Sequence, residues 1–300
     1  QSYTHASQEL FITQSAVSRQ IQQLEDLLGL SLFNRTRHGV ELTQAGQQYY
    51  QSIKPYLIGL EQSTLDIITH KGLGGTLKLG VVPTFATRWL LPKLHRFNHI
   101  HPEITIHLET STKPFLFNEN IFDAAIYAGT QQQIDHWPGT QTHFLMHEDV
   151  VPVCSPQLIQ KYFPDARPTQ PSCYDLSAEQ IIQLPLLQQT TRLNIWQEWC
   201  EKHQIEHPQP FEGQRHELFS MLAVAATHSM GMALIPQMLI KKELESSELV
   251  IATNKTLTGV RSYYLVHSSQ ENSMLIEKFV DWIQLELKNE ALPCSFGTIE

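Results

Sequence analysis

The sequence predicts a multidomain α+β protein, in which a small helical N-terminal domain is followed by a long helix and a large α/β region. Three observations predict this organisation. Apolar residues recur at helical spacing up to residue 28 and precede a hairpin pattern. Residues 43–70 form one long amphipathic stretch, and strand-like and helix-like segments alternate after residue 75. A chain of 300 residues also exceeds what one hydrophobic core commonly supports.

The first domain is predicted over residues 1–42, where two short helices flank a tight turn. Thr13 is suited to cap the second helix and Gly29 to end it, so this helix should cover residues 14–28. The segment 32–42 has apolar ends and a polar tip with a glycine, which predicts the hairpin of a winged helix-turn-helix. The predicted core of this domain consists of Ala6, Leu10, Val17, Ile21, Leu24 and Leu28.

Residues 43–71 are expected to form a linker helix that begins after a Thr43 cap. Pro55 predicts a kink or a break inside it. An apolar seam on an exposed helix needs a partner, and a second copy of the chain is the simplest one. The glycine-rich segment 72–75 predicts a hinge. The seam residues, at heptad-like spacing, are Tyr49, Ile53, Tyr56, Leu60 and Ile67.

Residues 76–300 follow a repeated strand–helix pattern, which favours parallel sheet. The region is long for one small sheet, so we expect two lobes with a cleft between them. Strands are predicted at 76–82, 104–108, 124–127, 143–146, 150–154, 186–187, 232–235 and 263–266. Helices are predicted at 87–98, 178–184, 195–204, 216–228 and 272–288.

The composition excludes several classes of protein. A formal net charge of −9 argues against extensive coating of nucleic acid, although a small domain with local positive charge can still bind DNA. There is no apolar run of the roughly 18 residues that a membrane span needs. The four cysteines lie far apart, so we expect reduced thiols in a cytoplasmic protein. His143 and His147 match no metal motif, and no metal, cofactor or catalytic set is expected.

Residues 6–21 (ASQELFITQSAVSRQI) closely resemble the helix-turn-helix of LysR-type transcription regulators. The resemblance continues through Leu24, Glu25, Leu28, Gly29, 32–36 (LFNRT) and 42–46 (LTQAG). It implies a dimerising linker helix and a two-lobed effector domain similar to periplasmic binding proteins. It also implies a further helix upstream of Gln1, which we expect to be missing from this sequence.

Three later segments are most similar to the subgroup of glycine-cleavage and β-lactamase-inducer regulators: 82–92 (VPTFATRWLLP), 122–127 (FDAAIY) and 231–236 (GMALIP). The resemblance implies a first lobe of about 76–154 plus 264–300, and a second lobe of about 155–263.

The DNA-binding prediction centres on the start of the second helix, because a recognition helix enters the major groove with its N-terminal residues. Glutamine can pair with adenine, and arginine on the wing suits phosphates or a narrow minor groove. Ser18 could instead be a solvated helix residue, and Arg19 could pair with Glu25 or Asp26. The candidate DNA contacts are Thr13, Gln14, Ser15, Ser18, Arg19, Arg35, Thr36 and Arg37.

The effector prediction centres on strand ends and helix starts, where open α/β sheets bind ligands. The threonines could equally cap helices, Asp123 could be a turn residue, Arg192 a surface ion pair, and Tyr127 and Tyr263 core aromatics. The candidate effector residues are Thr84, Phe85, Thr87, Asp123, Tyr127, Thr190, Thr191, Phe219 and Ser220.

These observations and the resemblance together predict a regulator of transcription that is switched by a small anionic metabolite. Its expected partners are double-stranded DNA, the effector, a second copy of the chain in a dimer or tetramer, and RNA polymerase; no membrane is expected. Two other interpretations stay open from the residues alone. One is a cytosolic solute-binding protein, and the other is an α/β enzyme whose motif is not evident.

Overall fold

The computed structural model describes residues 2–36, 39–70, 74–112, 122–206, 209–269 and 273–290. Its contacts divide the chain into two compact units, Gln1–Leu73 and Gly74–Glu300. The candidate DNA contact Arg37, residues 72 and 73 of the hinge segment 72–75, and Cys294 lie outside the described residues. None of the described helices is long and apolar enough to cross a membrane.

The N-terminal unit has the predicted winged helix-turn-helix elements. They are α1 (Tyr3–Glu9), α2 (Gln14–Leu28), β1 (Phe33–Thr36), β2 (Gly39–Leu42) and α3 (Gln44–His70), with β1 and β2 antiparallel. The Thr13 hydroxyl accepts a hydrogen bond from the amide of Ala16 at 3.2 Å, which satisfies a free donor at the start of α2. Gly29 ends α2 in the left-handed region with φ of 66°. Both predicted caps are therefore confirmed.

The predicted core of this unit is only partly confirmed. Val17 is buried, and Ala6, Ile21 and Leu24 are half-buried. Leu10 and Leu28 were predicted in the core, but they are 61% and 36% exposed. Helical spacing identifies the apolar side of a helix, but what covers that side depends on the neighbouring elements. The wing region supplies two further buried apolar side chains to the described part of the unit, Leu32 and Val40.

Helix α3 starts at the predicted cap, because the Thr43 hydroxyl accepts a hydrogen bond from the amide of Gly46 at 2.9 Å. The predicted break at Pro55 is wrong, since the helix continues through it to His70. A proline removes one donor from the hydrogen-bond ladder, and a helix of 27 residues retains the others. The predicted seam is open to solvent at Tyr56, Leu60 and Ile67, which are 79%, 67% and 71% exposed.

The second unit contains two lobes, each built around its own sheet. The strands are β3 (Gly75–Val81), β4 (Ile104–Thr110), β5 (Ala124–Gly129), β6 (Thr140–His147), β7 (Val150–Cys154), β8 (Leu187–Gln189), β9 (Gln214–His216), β10 (Ala233–Pro236), β11 (Val250–Ile251) and β12 (Ser262–Ser268). Lobe I has the order β4-β3-β5-β12-β6. Lobe II has the order β10-β7-β11 and a separate pair, β8-β9.

The prediction of parallel sheet holds for β3 with β4 and β5, and for β8 with β9. It is wrong for the remaining pairs, because β12 is antiparallel to β5 and β6, and β7 is antiparallel to β10 and β11. Strand patterns in a sequence report burial but not direction. The direction of β12 follows from the return of the chain into lobe I after it has built lobe II.

The resemblance placed residues 150–154 in lobe I, and this assignment is wrong because β7 is the central strand of the lobe II sheet. The chain thus leaves lobe I directly after β6, through Glu148 and Asp149, and returns at Arg261 just before β12. The two passages are hydrogen-bonded to each other, since the amide of Glu148 donates to the carbonyl of Arg261 at 2.9 Å. The connection from lobe I to lobe II consists of two residues, neither of them glycine or proline, so no local sequence pattern marks it as a lobe boundary.

The helices of this unit surround the sheets. They are α4 (Pro83–Phe85), α5 (Leu91–Ile100), α6 (Gln131–Asp135), α7 (Pro156–Tyr162), α8 (Ala178–Ile181), α9 (Ile195–Lys202), α10 (Phe219–Thr227), α11 (Lys241–Glu245) and α12 (Met274–Glu290). The predicted helix over 87–98 is confirmed, but it begins earlier, and a π-helical turn at Ala86–Leu90 joins α4 to α5. Such turns are frequent at functional sites.

Histidine and cysteine side chains in the described part of the chain form no site for a metal ion. His143 contacts His267 instead of His147, with the two Nε2 atoms 3.1 Å apart. Burial and the neighbouring His267 lower the pKa of His143. Cys154, Cys173 and Cys200 are free thiols, and burial raises the pKa of Cys154 to about 12, which suppresses the reactive thiolate.

Candidate functional sites

The start of α2 presents a polar surface to solvent. Thr13, Gln14, Ser15 and Arg19 are exposed, and Ser18 is half-buried. The hydroxyls of Thr13 and Ser15 lie 3.0 Å apart. Thr13 therefore both caps the helix and contacts the next hydroxyl, and the Gln14 side chain beside them is free to reach a base edge.

Glu25 joins the recognition helix to the wing, a role that sequence reasoning missed. Its carboxylate accepts hydrogen bonds from the amides of Leu32 and Phe33 at 2.6 and 3.0 Å. The Asp26 carboxylate accepts from the side chain of Gln22 at 2.9 Å. The alternative pairing of Arg19 with one of these acids is not observed among the described residues. The Arg19 guanidinium thus stays exposed on the same helix as Gln14.

The wing carries two described candidate contacts, Arg35 and Thr36. Both side chains are exposed on β1, where they pair with Val40 and Gly39 of β2. The exposed guanidinium of Arg35 on this hairpin suits contacts with phosphates.

A cavity of about 420 Å³ lies between the two lobes of the second unit. It is lined from both lobes and from the two passages between them. Five of the residues that line it are candidate effector residues: Thr84, Phe85, Tyr127, Thr191 and Phe219. The structure thus brings together side chains from the ends of β3, β5 and β8 and from the start of α10, as expected for the carboxyl ends of strands.

Hydrogen bonds cross the cavity from lobe I to lobe II at two places. The amide of Ser220, in the first turn of α10, donates to the hydroxyl of Thr84 at 3.2 Å. The hydroxyl of Thr112 donates to the carboxylate of Glu217 at 2.7 Å. Thr84 is only 5% exposed, so its hydroxyl is a buried link between the lobes.

Four candidate effector residues are absent from the cavity lining: Thr87, Asp123, Thr190 and Ser220, the last of which bonds Thr84 through its amide. The hydroxyl of Thr87 donates to the carbonyl of Pro83 at 3.1 Å, within its own helix. The Asp123 carboxylate accepts from the amide of Lys78 at 2.6 Å, which fastens the start of β5 to β3. Thr190 is exposed. Asp123 thus has the structural role that the sequence left open as an alternative. Thr87 bonds within its helix without capping it, because its hydroxyl donates to carbonyls and accepts from no amide.

A charge cluster of the buried Glu148 and Arg192 side chains and the half-buried Arg261 forms one side of the cavity. The Arg192 guanidinium donates to the Glu148 carboxylate, and the Nε of Arg261 lies 3.9 Å from the same carboxylate oxygen. The interpretation of Arg192 as a surface ion pair is wrong, since its side chain is 8% exposed and that of Glu148 is 2% exposed. Burial lowers the pKa of Arg192, although Glu148 opposes this effect.

The cluster contains two guanidiniums and one carboxylate, so it carries an excess positive charge inside the protein. Burial raises the pKa of the adjacent Tyr263 well above its usual value, and the charge of Glu148 adds to this shift. Tyr263 therefore stays neutral and does not offset the excess. An unbalanced buried charge is unfavourable, and a bound anion would compensate it.

Sequence reasoning missed several lining residues, namely Thr112, Gln133, Glu148, Gln189 and Arg261. Glu148 directly follows β6 and Arg261 directly precedes β12, so strand ends were the one available signal. That signal was insufficient, because the passages between the lobes were not recognised. Glu148 and Arg192 are 44 residues apart in sequence, and only the folded lobes bring them together.

An exposed recognition helix with a wing, in a chain that also carries a two-lobed domain with a charged cavity between the lobes, defines a DNA-binding protein with a ligand-binding domain. The model described as "LysR substrate binding domain" matches residues 70–288, and that described as "Bacterial regulatory helix-turn-helix protein, lysR family" matches residues 1–47. The chain therefore belongs to the LysR family of bacterial transcription regulators.

The chain is similar over most of its length to curated regulators. It is 32% identical to the glycine cleavage system transcriptional activator of Escherichia coli K12, over 94% of this chain and 88% of the relative. It is 27% identical to the transcriptional activator AmpR of Citrobacter koseri, over 94% of this chain and 92% of the relative. These relatives are regulators and not enzymes, which favours the regulator interpretation over a solute-binding protein or an enzyme.

Solved structures share the fold. The AmpR effector-binding domain of Citrobacter freundii matches with a TM-score of 0.60 and 23% identity, covering 71% of this chain and 98% of that domain. The full-length virulence activator AphB of Vibrio cholerae matches with a TM-score of 0.57 and 23% identity, covering 94% and 93%. The protein is thus a LysR-type regulator with an effector-binding domain. Regulators of this family bind DNA and small-molecule effectors and form oligomers.

Proposed function

We propose that a small anionic metabolite switches this regulator by binding in the cavity between the lobes. The observation that carries the proposal is the charge cluster of Glu148, Arg192 and Arg261, in which two guanidiniums face one carboxylate. A ligand anion would supply the missing negative charge through charge-assisted hydrogen bonds, which are stronger than neutral ones. The start of α10, whose Ser220 amide bonds Thr84 and whose Phe219 lines the cavity, adds a favourable dipole.

Switching would act through the angle between the lobes. The passages at Glu148 and Arg261 join the lobes, while the Thr84–Ser220 and Thr112–Glu217 hydrogen bonds span the cavity. A ligand that bonds to both walls favours one lobe arrangement over others by its difference in affinity. In an oligomer this change would alter the spacing of the DNA-binding domains and thereby the operator affinity.

On the DNA, Gln14, Ser15, Ser18 and Arg19 would face base edges, while Thr13 and the wing residues Arg35, Thr36 and Arg37 would contact the backbone. The exposed seam of α3 would pack against a second copy to form a dimer or tetramer. Because such a protein acts at promoters, we place it in the cytoplasm and include RNA polymerase among its partners.

Binding of the full chain to its own upstream intergenic DNA tests the DNA-binding part of this proposal. Arg35→Ala is expected to weaken binding to operator and scrambled DNA alike and to reduce the salt slope by about one, because one phosphate contact is lost. The measurement is a gel shift at several salt concentrations. Arg167→Ala, which removes an exposed arginine from the second unit, is the matched control and should leave both quantities unchanged. An unchanged salt slope in Arg35→Ala would remove this residue from the phosphate contacts.

Thr84→Val tests the cavity. We expect this variant to lose the effector-dependent change in operator binding while its effector-free binding stays intact, because valine keeps the shape but not the hydroxyl that bonds Ser220. The readout is a reporter gene or gel shift with a cell extract that contains the effector. Thr87→Val is the control, since that hydroxyl bonds only within its helix. A normal response in Thr84→Val would contradict the assignment.

A further inference from the structure

Two buried polar atoms at the cavity have no hydrogen-bond partner among the described residues. One is the Nε of Arg261, which is a donor, and the other is the Oε1 of Gln189, which is an acceptor. Both residues line the cavity, and Gln189 is only 6% exposed. Buried polar groups in native proteins are normally satisfied, so a donor and an acceptor left open at one cavity indicate what a ligand has to supply.

The open atom of Gln189 is an acceptor because of how its amide is held. Its Nε2 lies 3.5 Å from the backbone carbonyl of Glu217 and donates to it. Turning the amide over would bring two oxygens together, so this orientation is the favourable one. The ligand group facing Gln189 therefore has to be a hydrogen-bond donor.

The charges at the cavity show the same division. Arg192 and Arg261 give one side an excess of positive charge over Glu148. On the lobe II wall, the carboxylate of Glu217 lines the cavity, and the Glu217 backbone carbonyl holds the amide of Gln189. The cavity thus combines a cationic side with a wall that offers a carboxylate and a neutral acceptor.

From this geometry we infer that the anionic group of the effector is the carboxylate of a zwitterion of the α-amino acid class. Its carboxylate bonds to Arg261, and its ammonium donates to the Oε1 of Gln189 beside Glu217. The inference rests on the proposed function, which puts the ligand in this cavity. A simple carboxylate would leave Gln189 unsatisfied, and a dicarboxylate would bring a second anion against Gln189 and Glu217. The cavity of about 420 Å³ suits a single small molecule.

Binding to the full chain separates these ligand classes. The probes are the common amino acids in both enantiomers, and for each one the carboxylic acid that lacks the amine and the amine that lacks the carboxylate. Thermal shift and titration calorimetry are the readouts. We expect at least one amino acid to bind, with both of its truncated analogues weaker by about tenfold or more, since each leaves one buried group of the site unpaired.

Two variants assign the ammonium site. Gln189→Met keeps the length of the side chain but removes the acceptor, and Glu217→Gln keeps the hydrogen bond with Thr112 but removes the charge. Each variant is expected to bind the amino acid about tenfold more weakly and to bind its amine-free analogue with unchanged affinity, because that analogue does not use either group. A general loss of structure would weaken both compounds equally, so the selectivity ratio reports the site directly.

Each outcome of the panel has a definite meaning. If amine-free acids bind as tightly as amino acids, the zwitterion inference is overturned and the anionic effector of the proposed function stands. If only the amines bind, both are overturned. If no probe binds the folded chain, or if Gln189→Met and Glu217→Gln leave the preference for amino acids unchanged, the inference is rejected.

Discussion

Replacing Glu148 by glutamine will destabilise the effector-binding domain by about 3–5 kcal/mol, because it leaves the guanidiniums of Arg192 and Arg261 without their buried counter-ion. Glu148 is 4% exposed, so water cannot take over its role. All five tryptophans lie in the second unit, which makes their fluorescence during urea unfolding a measure of this domain alone.

The control for this experiment is Glu248→Gln, which neutralises an exposed carboxylate and should change the unfolding free energy by less than about 0.5 kcal/mol. Glu148→Asp, which keeps the charge, should recover part of the stability lost in Glu148→Gln. Equal stability of Glu148→Gln and Glu248→Gln would show that the cluster does not depend on charge pairing. It would also remove the observation on which an anionic effector is proposed.

Gln14→Ala will reduce the preference for operator over scrambled DNA by about 1–3 kcal/mol, or about 5- to 150-fold, if its amide pairs with a base. The residue is exposed at the start of α2, next to the Thr13 cap. The preference is measured as the ratio of dissociation constants for the two DNAs at one salt concentration. Binding to scrambled DNA should hardly change, because that binding depends on phosphate contacts.

Gln23→Ala is the matched control, since Gln23 is an exposed glutamine of the same helix about two and a half turns further on, on its opposite side. It should leave the operator preference intact. If Gln14→Ala weakens binding to both DNAs equally, Gln14 contacts the DNA backbone and another residue of α2 contacts the bases. The fold of each variant is checked by its helical circular dichroism.

The DNA-binding unit was accessible from sequence because its main signals are local. Thr13, Gly29 and Thr43 act on amides and carbonyls only a few residues away, so their side chains determine where α2 and α3 start and stop. The exposure of Leu10 and Leu28 was not predictable, because it depends on the area that neighbouring elements cover.

The cavity was accessible only in part. Thr84 follows the end of a strand and Phe219 lies at the start of a helix, and both positions can be predicted from the pattern of β and α segments. Asp123 and Thr87 have the same residue types at similar positions, but their partners are a neighbouring strand and their own helix. Residue type and position alone do not distinguish a group that faces a ligand from one that fastens a turn.

The sequence by itself determined the winged helix-turn-helix and the long helix, since these depend on periodicity and on hydrogen bonds between near neighbours. The family and the two-lobed α/β plan followed from the resemblance of its motifs to LysR-type regulators. Only the tertiary structure decided which charges meet at the cavity. Glu148 lies in the first connection between the lobes, Arg261 in the second connection, and Arg192 in lobe II. Their pairing depends on the direction of β12 and on the sheet to which β7 belongs. Strand direction and sheet membership are set by long-range pairing, which no local pattern encodes.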